Sequence, residues 1–590
     1  MYTELKSYQI IIALLKEYGI RKCVLSAGSR NVPFVHSVEE DPFFECYSVV
    51  DERSAGYFAL GLAQESGEPV VISCTSSTAT CNYWPPVAEA YYQGVPLVVL
   101  TSDRDPAMLG QWEDQMIDQV GMYDRHVRKS VNLPIVNDRD DWLFCQRLVN
   151  EALLELDHRG AGPVHINVPM RSYNNSFNVR ELPEVTRIRR IEARDGGEAW
   201  RPYADRLASA KRVLVVAGQT TGASPELASA LERFCASCNA AVAAEYMANV
   251  PRGSAFNPTL CMEYRYIIEK KFAEFLPDVV VSFGGNMTAG LKTMLRRFAG
   301  SFEHWSVRED GSVCDMFKSL TTVFEATPET FFDRMADLIA GSGNDGIYLA
   351  SLKEYEASAV VPELPWSNVL AIKETVERIP SGSILHLAVN NAIRLTNFFE
   401  LQPDVKVYAN IGTHGIDGPL SSLLGQAAAS GKPAYLVVGD LAFFYDMNAL
   451  RIRHVTDKVR ILLLNNQGGE EFYYNQVWKN EASDLHTTAR HHTKAEGWVR
   501  ECGFRYLSAR DRAELDAALD EFFDDDAESP VVLEIFSEMR SDSKVIDMIF
   551  DATRPRDVQS EAIRRSKELV KRTIGQEKAQ RIAGVFKRGH

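Results

Sequence analysis

The sequence has no long apolar runs, no cysteine framework and, at its N-terminus, no signal-peptide pattern. No apolar run approaches the roughly 18–20 residues that a membrane-spanning helix needs, which excludes the transmembrane classes. The ten cysteines show no spacing typical of disulfide-rich or metal-binding proteins, and the N-terminus is not basic and then apolar, as a signal peptide is. We therefore expect a cytoplasmic protein with reduced thiols and no contact with a membrane.

Positive charge is scarce over most of the chain. Its 590 residues hold 64 Lys and Arg against 80 Asp and Glu, a formal net charge of −16. Because binding to nucleic acid needs a basic face, we expect no nucleic-acid partner. The segment 553–590 departs from this balance, with eleven basic and four acidic residues. We interpret it as a basic helical tail that is a solvated helix, a lid over an anionic site or a docking segment.

Short β-branched runs alternate with helical patterns along almost the whole chain. Runs such as VVI at 70–72 and ILLL at 461–464 are typical of parallel strands that helices cover on both faces. Segments rich in Pro, Gly and charge near 180–200 and 359–368 interrupt this alternation. We therefore predict an α/β protein of three doubly wound parallel-sheet domains, at 1–185, 195–345 and 365–545, followed by the tail at 546–590.

A pattern of small residues occurs twice at a constant offset of 364 positions. LGLAQESGEP at 60–69 recurs as LGQAAASGKP at 424–433, with the same Leu, Gly, Ala, Ser, Gly and Pro, and each copy precedes an apolar run. The repeat predicts that the first and third domains share one topology. A chance likeness between two α/β units is the alternative.

Two polar motifs follow predicted strands of the third domain. Gly439-Asp440 ends one strand, and NNQG at 465–468 ends the next. Neighbouring parallel strands end at one edge of a sheet, so a carboxylate, a side-chain amide and a glycine carbonyl are expected around one point. Such hard oxygen ligands suit Mg²⁺ carrying a diphosphate. Two ordinary turns between strand and helix are the alternative.

The first domain also holds a carboxylate just after a predicted strand, as the third domain does at Asp440. Glu52 lies between the run YSVV at 47–50 and the helical pattern SAGYFALGLA at 54–63. Alone, an acidic residue there is typical of a solvated helix N-terminus, where it suits the helix dipole. Taken with the repeat and the polar motifs, Glu52 becomes a candidate for a buried site between the first and third domains.

Eight segments together resemble one family. They are SAGSRN at 26–31, DERSAGYFALGLA at 51–63, TSSTATCN at 75–82, GVPLVVLTSDRDP at 94–106, DQMIDQ at 114–119, NIGTHGIDG at 410–418, GDLAFFYDMNAL at 439–450 and NNQGGEEF at 465–472. Over about residues 1–540 the chain resembles thiamine diphosphate (ThDP) enzymes of the 2-oxoacid decarboxylase and carboligase type. Within them it is similar to the 2-succinyl-5-enolpyruvyl-6-hydroxy-3-cyclohexene-1-carboxylate (SEPHCHC) synthase family of menaquinone biosynthesis.

The resemblance implies a pyrimidine-binding, a central and a diphosphate-binding domain, with ThDP and Mg²⁺ as cofactors. It implies that Glu52 is catalytic and shares a proton with the pyrimidine ring, for which burial should raise its pKa. The implied cofactor contacts are Glu52, Ser76, Ser77, Gly415, Ile416, Gly439, Asp440, Leu441, Asn466, Gly468 and Phe472. Asp440, Asn466 and Gly468 would hold the metal. In this family the glutamate and the diphosphate site come from different subunits, which implies a homodimer or homotetramer.

The implied reaction decarboxylates 2-oxoglutarate and adds the product to isochorismate. The implied substrate-binding residues are Ser29, Arg30, Arg104, Gln115, Lys292, Asn390 and Arg394. Arginine suits such anionic substrates because its planar guanidinium binds a carboxylate through two hydrogen bonds.

The chain departs from the family pattern at several of these places. Ile411 replaces an arginine, Glu471 an apolar residue, Ser77 a glycine, Asp114 an asparagine and Asn390 a serine. Losing a cation and gaining carboxylates should weaken the binding of a dianion. One alternative is therefore a ThDP-dependent 2-oxoacid decarboxylase or an acyloin synthase similar to acetolactate synthase, with a different donor or acceptor. Another is a ThDP-binding structural partner with weakened catalysis.

Overall fold

The computed structural model of the chain describes residues 1–172, 176–188, 197–222, 224–263, 267, 269–312, 314–339, 344–477 and 484–553. Within these ranges the protein contains three parallel sheets of six strands each, with helices between the strands. The predicted α/β class with three parallel-sheet units is confirmed. The domain limits remain a prediction, and the tail from residue 554 lies outside the described residues. No helix in the described ranges is long and apolar enough to cross a bilayer.

The first sheet has the strand order β2-β1-β3-β4-β6-β5. Its strands are β1 (Lys22–Leu25), β2 (Glu45–Ser48), β3 (Val70–Cys74), β4 (Leu97–Asp103), β5 (Lys129–Asn132) and β6 (Val164–Pro169). The helices of this unit are α1 (Lys6–Tyr18), α2 (Val32–Glu39), α3 (Glu52–Ser66), α4 (Thr78–Asn82), α5 (Trp84–Gln93) and α6 (Arg139–Leu153). Strands β3, β4 and β6 are buried along their whole length because helices cover both faces.

The central sheet has a different order, β12-β11-β10-β7-β8-β9. Its strands are β7 (Val213–Ala217), β8 (Ala241–Ala244), β9 (Ala255–Phe256), β10 (Val279–Phe283), β11 (Glu303–Val307) and β12 (Leu320–Phe324). Its helices are α7 (Arg201–Ser209), α8 (Pro225–Cys238), α9 (Pro258–Cys261), α10 (Glu269–Phe272), α11 (Ala289–Arg297), α12 (Pro328–Leu338) and α13 (Ile347–Ala357). The central unit is therefore not a third copy of the repeated topology.

The third sheet has the order β14-β13-β15-β16-β18-β17, which repeats the order of the first sheet. Its strands are β13 (Ile384–Leu387), β14 (Lys406–Ala409), β15 (Ala434–Gly439), β16 (Val459–Asn465), β17 (Arg505–Ala509) and β18 (Val531–Phe536). Its helices are α14 (Asn368–Val376), α15 (Asn391–Thr396), α16 (Pro419–Ser430), α17 (Asp440–Tyr445), α18 (Glu470–Phe472), α19 (Asp484–Thr488), α20 (Glu496–Glu501), α21 (Arg512–Phe522) and α22 (Met539–Thr553). The shared topology predicted from the sequence repeat is confirmed.

Helices α3 and α16, which carry the two copies of the repeat, cross each other closely. A Cβ on Gly61 would lie 2.1 Å from the carbonyl oxygen of Ser422, and a Cβ on Gly425 would lie 2.1 Å from the carbonyl oxygen of Phe58. Both pairs are related by the same offset of 364 positions, so the crossing has approximate two-fold symmetry. Glycine is required at both positions because the two helix backbones touch there.

We expect Gly61→Ala and Gly425→Ala each to lower the free energy of unfolding by about 3 kcal/mol, because an added methyl group would force the helices apart. Urea denaturation followed by circular dichroism measures this change. The control is Gly497→Ala in α20, where a Cβ would meet nothing within 4 Å. It should leave stability unchanged or raise it by up to about 1 kcal/mol. Equal effects at the three positions would contradict the close crossing.

Candidate active site

A cavity of about 140 Å³ opens at the carboxyl ends of strands in the third sheet. Eight predicted cofactor and substrate residues line it: Asn390, Ile416, Gly439, Asp440, Leu441, Asn466, Gly468 and Phe472. They meet because β15 ends at Gly439, β16 ends at Asn465 and α15 begins at Asn391. The polar turns after neighbouring parallel strands thus share one edge of the sheet. The structure therefore brings together the predicted metal and diphosphate residues.

Asp440 is held by the backbone of two turns. Its Oδ1 accepts from the N–H of Leu441 at 2.7 Å, and its Oδ2 accepts from the N–H of Gly468 at 2.9 Å. Gly468 has a φ of +153°, and a Cβ there would lie 2.8 Å from the carbonyl oxygen of Thr488. The turn after β16 therefore requires glycine at position 468. Because glycine has no side chain, the Gly468 backbone can lie directly beside the Asp440 carboxylate.

A buried carboxylate from α22 orients the side chain of Asn466. The amide nitrogen of Asn466 donates to Asp542 Oδ2 at 3.1 Å. Asp542 also accepts from Ser537 Oγ at 2.7 Å and from the N–H of Asn368 at 3.0 Å. Burial raises the pKa of Asp542, and these hydrogen bonds offset only part of the rise. Because its nitrogen is engaged, Asn466 can offer its amide oxygen to a cation.

The oxygen atoms of Asp440, Asn466 and Gly468 suit a hard cation. Within the described ranges, no group of three or more His, Cys, Asp or Glu side chains could hold a metal ion. The predicted set instead combines the Asp440 carboxylate, the Asn466 amide oxygen and the Gly468 carbonyl. Mg²⁺ accepts such a set because it keeps water and phosphate oxygens as its remaining ligands. A transition metal would favour nitrogen or sulfur donors.

Glu52 begins α3, at the border between the first and third sheets. The Asp51 carboxylate caps the helix by accepting from the N–H of Ser54 at 3.2 Å. Arg53 donates to the carbonyl oxygen of Tyr445 at 2.9 Å and so ties the helix start to the third unit. Burial raises the pKa of Glu52, and the charge of Asp51 adds to this. A raised pKa is what Glu52 needs for its predicted role, which is to share a proton with the pyrimidine ring.

A second cluster of predicted residues forms in the first unit. The Arg30 guanidinium donates to Gln115 Oε1 at 2.7 Å and to Ser29 Oγ at 3.3 Å. Ser76 Oγ donates to the carbonyl oxygen of Gln115 at 2.8 Å. Ser77 has a φ of +73°, a left-handed conformation that favours glycine. This strain explains why the family pattern places a glycine at that position.

Arg104 and Lys292, two predicted anion-binding residues, both contact groups of the chain itself. Arg104 forms an ion pair with Glu113. Lys292 Nζ donates to Asn286 Oδ1 at 2.8 Å, and Asn286 Nδ2 donates to the carbonyl oxygen of Ile411 at 3.2 Å. Burial lowers the pKa of Lys292, and the charge of a nearby arginine lowers it further. Lys292 therefore lies beside the loop 411–416, which includes predicted cofactor contacts.

Arg394, another predicted substrate residue, is paired with Glu471. Its Nη1 lies 2.8 Å from Glu471 Oε2, and its Nη2 lies 3.4 Å from Oε1. Glu471 lines the cavity and also accepts from Asn475 Nδ2 at 2.7 Å. The carboxylate that departs from the family pattern is thus the ion-pair partner of a predicted substrate-binding cation.

The sequence does not predict two buried carboxylates of the site. Glu89 accepts from the N–H of Gly412 at 2.9 Å and of Thr413 at 2.7 Å, which fixes the loop that leads to the predicted cofactor contacts. Glu470 lines the cavity and accepts from Ser543 Oγ at 3.1 Å. Burial raises the pKa of Glu470, and a neighbouring carboxylate raises it further. Both residues have partners far along the chain, so their contacts could not be predicted from the sequence, although Glu470 lies in the segment NNQGGEEF at 465–472.

Two further contacts involve segments that are conspicuous in the sequence. His491, in RHH at 490–492, has its Nε2 3.2 Å from Asp440 Oδ2. Gln119, the last residue of DQMIDQ, accepts from the N–H of Ser77 at 2.8 Å. These short motifs are signals from which both contacts could have been predicted.

The predicted residues form separate groups within one chain. Among the described residues, the cavity is lined by residues between 368 and 472, all in the third unit. Glu52 and the cluster around Arg30 belong to the first unit, and Lys292 belongs to the central one. None of these three residues lines the cavity.

Two segments of the chain match thiamine pyrophosphate enzymes. Residues 5–122 match the family described as "Thiamine pyrophosphate enzyme, N-terminal TPP binding domain", and residues 390–535 match "Thiamine pyrophosphate enzyme, C-terminal TPP binding domain". The first segment contains Glu52, and the second contains Asp440, Asn466 and Gly468. The fold and the site thus define an enzyme that binds thiamine diphosphate, as predicted.

Curated relatives match nearly the whole chain. A Bacteroides thetaiotaomicron protein named 2-succinyl-5-enolpyruvyl-6-hydroxy-3-cyclohexene-1-carboxylate synthase is 38% identical over 553 residues, covering 92% of this chain and 98% of the relative. Proteins of the same name are 33% identical in Porphyromonas gingivalis, covering 88% of this chain and 93% of the relative, and 28% identical in Flavobacterium johnsoniae, covering 93% and 99%. The chain belongs to the SEPHCHC synthase family.

A buried carboxylate joins the start of α3 to the third unit. Asp446 accepts from the N–H and Oγ of Ser421, both at 2.8 Å, and from Ser54 Oγ at 3.3 Å. Arg53 approaches it at 3.9 Å. Burial raises the pKa of Asp446 to about 7. The folded protein therefore binds this proton more tightly than the unfolded chain does.

We expect the Asp446 contribution to stability to be complete below about pH 4 and to be lost as pH rises to about 7, with an upper bound of about 4 kcal/mol. Asp446→Asn should remove this dependence, because an amide also satisfies the serine partners. Unfolding midpoints of parent and variant at pH 5 and pH 8 measure it, and the variant should gain relative stability at pH 8. The exposed control Asp516→Asn should show no such gain. A parent–variant difference that is independent of pH would contradict this account.

Proposed function

We propose that the protein is a decarboxylating carboligase of the SEPHCHC synthase type, which depends on ThDP and Mg²⁺ and uses 2-oxoglutarate and isochorismate. The observation that carries the proposal is the convergence of Asp440, Asn466 and Gly468 at one edge of the third sheet. The names of the relatives support the reaction type. The two substrates follow from the family resemblance.

The third unit would hold the metal and the diphosphate. Asp440 and Gly468 are fixed against each other by their hydrogen bond, and Asn466 is oriented by Asp542. These residues present oxygen donors in a largely buried crevice, where a divalent cation would offset the charge of a diphosphate. Without a cation, the Asp440 carboxylate would repel the diphosphate.

Glu52 would hold the proton that activates the cofactor. Bound ThDP supplies a nucleophilic carbon and an electron sink for the decarboxylation of 2-oxoacids. The raised pKa of Glu52 keeps its carboxyl group protonated to a higher pH than an exposed glutamate, so it can donate a hydrogen bond to a weakly basic ring nitrogen. Arg30, which also lies in the first unit, would bind a substrate carboxylate.

Two copies of the chain would complete each site. The cavity is lined by residues of the third unit, whereas Glu52 and the Arg30 cluster lie in the first unit of the same chain and do not line it. A second copy can place its first unit over the cavity, so the protein would be a homodimer or a homotetramer built from such dimers.

A second candidate is a ThDP-dependent enzyme that uses a different 2-oxoacid, similar to an acyloin synthase. Two features favour it. Ile411 is buried, with 1% of its surface exposed, where the family pattern has an arginine. Arg394 is already paired with Glu471. Both features reduce the positive charge that is available to a dianionic substrate.

The reaction is tested by offering a panel of 2-oxoacids, with and without isochorismate, to protein loaded with ThDP and Mg²⁺. Carbon dioxide release and product mass are followed. Consumption of 2-oxoglutarate only in the presence of isochorismate would support the first candidate. Consumption of pyruvate alone would support the second, and failure to bind ThDP would overturn both.

We expect Glu52→Gln to bind ThDP as the parent does but to lose activity by about 100-fold or more, because the amide cannot share a proton with the cofactor. Calorimetric titration measures binding, and carbon dioxide release measures turnover. The exposed control Glu17→Gln should match the parent in both. An unchanged rate in Glu52→Gln would remove Glu52 from this role.

We expect ThDP binding to be lost on treatment with EDTA and restored by Mg²⁺. Asp440→Asn should need on the order of ten-fold more Mg²⁺ for half-maximal ThDP binding, because one charged ligand has become neutral. Titration of Mg²⁺ at fixed ThDP gives this midpoint without a measurement of activity. Asp516→Asn serves as the surface control. An unchanged midpoint in Asp440→Asn would contradict the proposed metal set.

A further inference from the structure

Ser77, a predicted cofactor contact, has a backbone conformation that its side chain disfavours. Its φ is +73° and its ψ is −129°, immediately before the first residue of α4. Glycine adopts this conformation freely because it has no Cβ, whereas serine is strained in it. A residue with a side chain keeps such a conformation only where neighbouring groups hold it. The turn that follows β3 therefore needs a contact from outside the turn.

The side-chain amide of Gln119 provides this contact. Gln119 is fully buried, and its Oε1 accepts from the backbone N–H of Ser77 at 2.8 Å. This N–H lies in the peptide plane between Ser76 and Ser77, and rotation of that plane changes the φ of Ser77. The next plane is held within α4, where the Thr80 hydroxyl donates to the Ser77 carbonyl oxygen at 2.6 Å. Gln119 therefore holds the angle in which the strain resides.

The Gln119 amide is fixed in its orientation on the other side. Its Nε2 donates to the carbonyl oxygen of Ser102 at 3.2 Å and to Asn167 Oδ1 at 3.0 Å. A carbonyl oxygen can only accept, so the amide nitrogen must face Ser102 and the amide oxygen must face Ser77. Asn167 in turn donates to Asp103 Oδ2 at 2.9 Å. Residues of β4 and β6 thus aim the Gln119 oxygen at Ser77.

The turn at 75–77 lies beside Glu52. Strand β3 ends at Cys74, and α3, which begins with Glu52, packs against this strand. Burial raises the pKa of the Cys74 thiol, and the charge of Glu52 raises it further, as expected of two groups that lie close together. The turn thus borders the group that is predicted to share a proton with the pyrimidine ring. A rotated peptide plane in the turn would therefore change the pyrimidine site.

We propose that Gln119 is a positioning residue of the ThDP site, which holds the turn at Ser76 and Ser77 in the shape that receives the pyrimidine ring. The inference rests on the function proposed above, since it takes Ser77 as a cofactor contact. Gln119 is buried beneath the turn and acts through the backbone of Ser77. Its hydrogen bond compensates for the absence of glycine at position 77.

The test is a double-mutant comparison of ThDP affinity at saturating Mg²⁺, measured by calorimetric titration. Gln119→Leu removes the hydrogen bond at similar volume and should weaken ThDP binding about ten-fold. In the Ser77→Gly background the same change should weaken binding by less than about three-fold, because glycine keeps the conformation without help. In the Ser77→Ala background the loss should remain about ten-fold, because alanine retains the Cβ.

Thr101→Val is the matched control. Thr101 is fully buried, and its hydroxyl is hydrogen-bonded to His165 Nε2 and to Asn167 Oδ1, each at 2.8 Å, so it joins the same network at Asn167. The change should lower the free energy of unfolding, measured with urea, and leave ThDP affinity unchanged. If Gln119→Leu does not fold, Gln119→Met, whose unbranched side chain is similar in length, takes its place in every pair.

Three results would contradict the inference. They are an unchanged ThDP affinity in Gln119→Leu, an equal loss of affinity in the serine and glycine backgrounds, and a rescue by Ser77→Ala as complete as that by Ser77→Gly. A parent that does not bind ThDP would overturn the proposed function and this inference together. A parent that binds ThDP without the expected pattern would overturn this inference alone.

Discussion

The contact between α3 and α16 is the constraint on which the rest of the structure depends. At Gly61 and Gly425 the two helix backbones touch, with no room for a side chain. Glu52 begins one of these helices, and the loop that includes Ile416 leads into the other. The crossing thus sets the position of the catalytic candidate relative to the third sheet. Asp446, which binds both Ser54 and Ser421, holds the same junction through buried hydrogen bonds.

Sequence reasoning predicted the features that depend on short-range pattern. Continuous apolar runs identified the buried strands because parallel strands covered on both faces have no polar side. The repeat at offset 364 predicted the common topology of the first and third sheets. Asp440, Asn466 and Gly468 were found because strand ends meet at one sheet edge, so spacing along the chain translates directly into proximity.

Other features could not be predicted because their partners are distant in the chain. Asp542 reaches Asn466 across 76 positions, and Glu89 reaches Gly412 across 323. Glu471 was recognised as a departure from the family pattern, but its pairing with Arg394, 77 positions away, is a property of the fold. The sequence identifies a residue as unusual, whereas the structure shows which charge it neutralises.

The symmetric crossing also bears on the origin of the chain. Two equivalent helices that meet about an approximate two-fold axis form the kind of contact that identical subunits make in a dimer. A single-unit ancestor could have paired through this surface before duplication joined the two copies. Joining them makes this pairing intramolecular and independent of protein concentration, so every chain carries one copy of each kind and the two copies are free to diverge. The first unit now carries Glu52 at the start of α3, and the third unit carries the crevice with the proposed metal ligands. This difference is the outcome expected if the two copies diverged after they were joined.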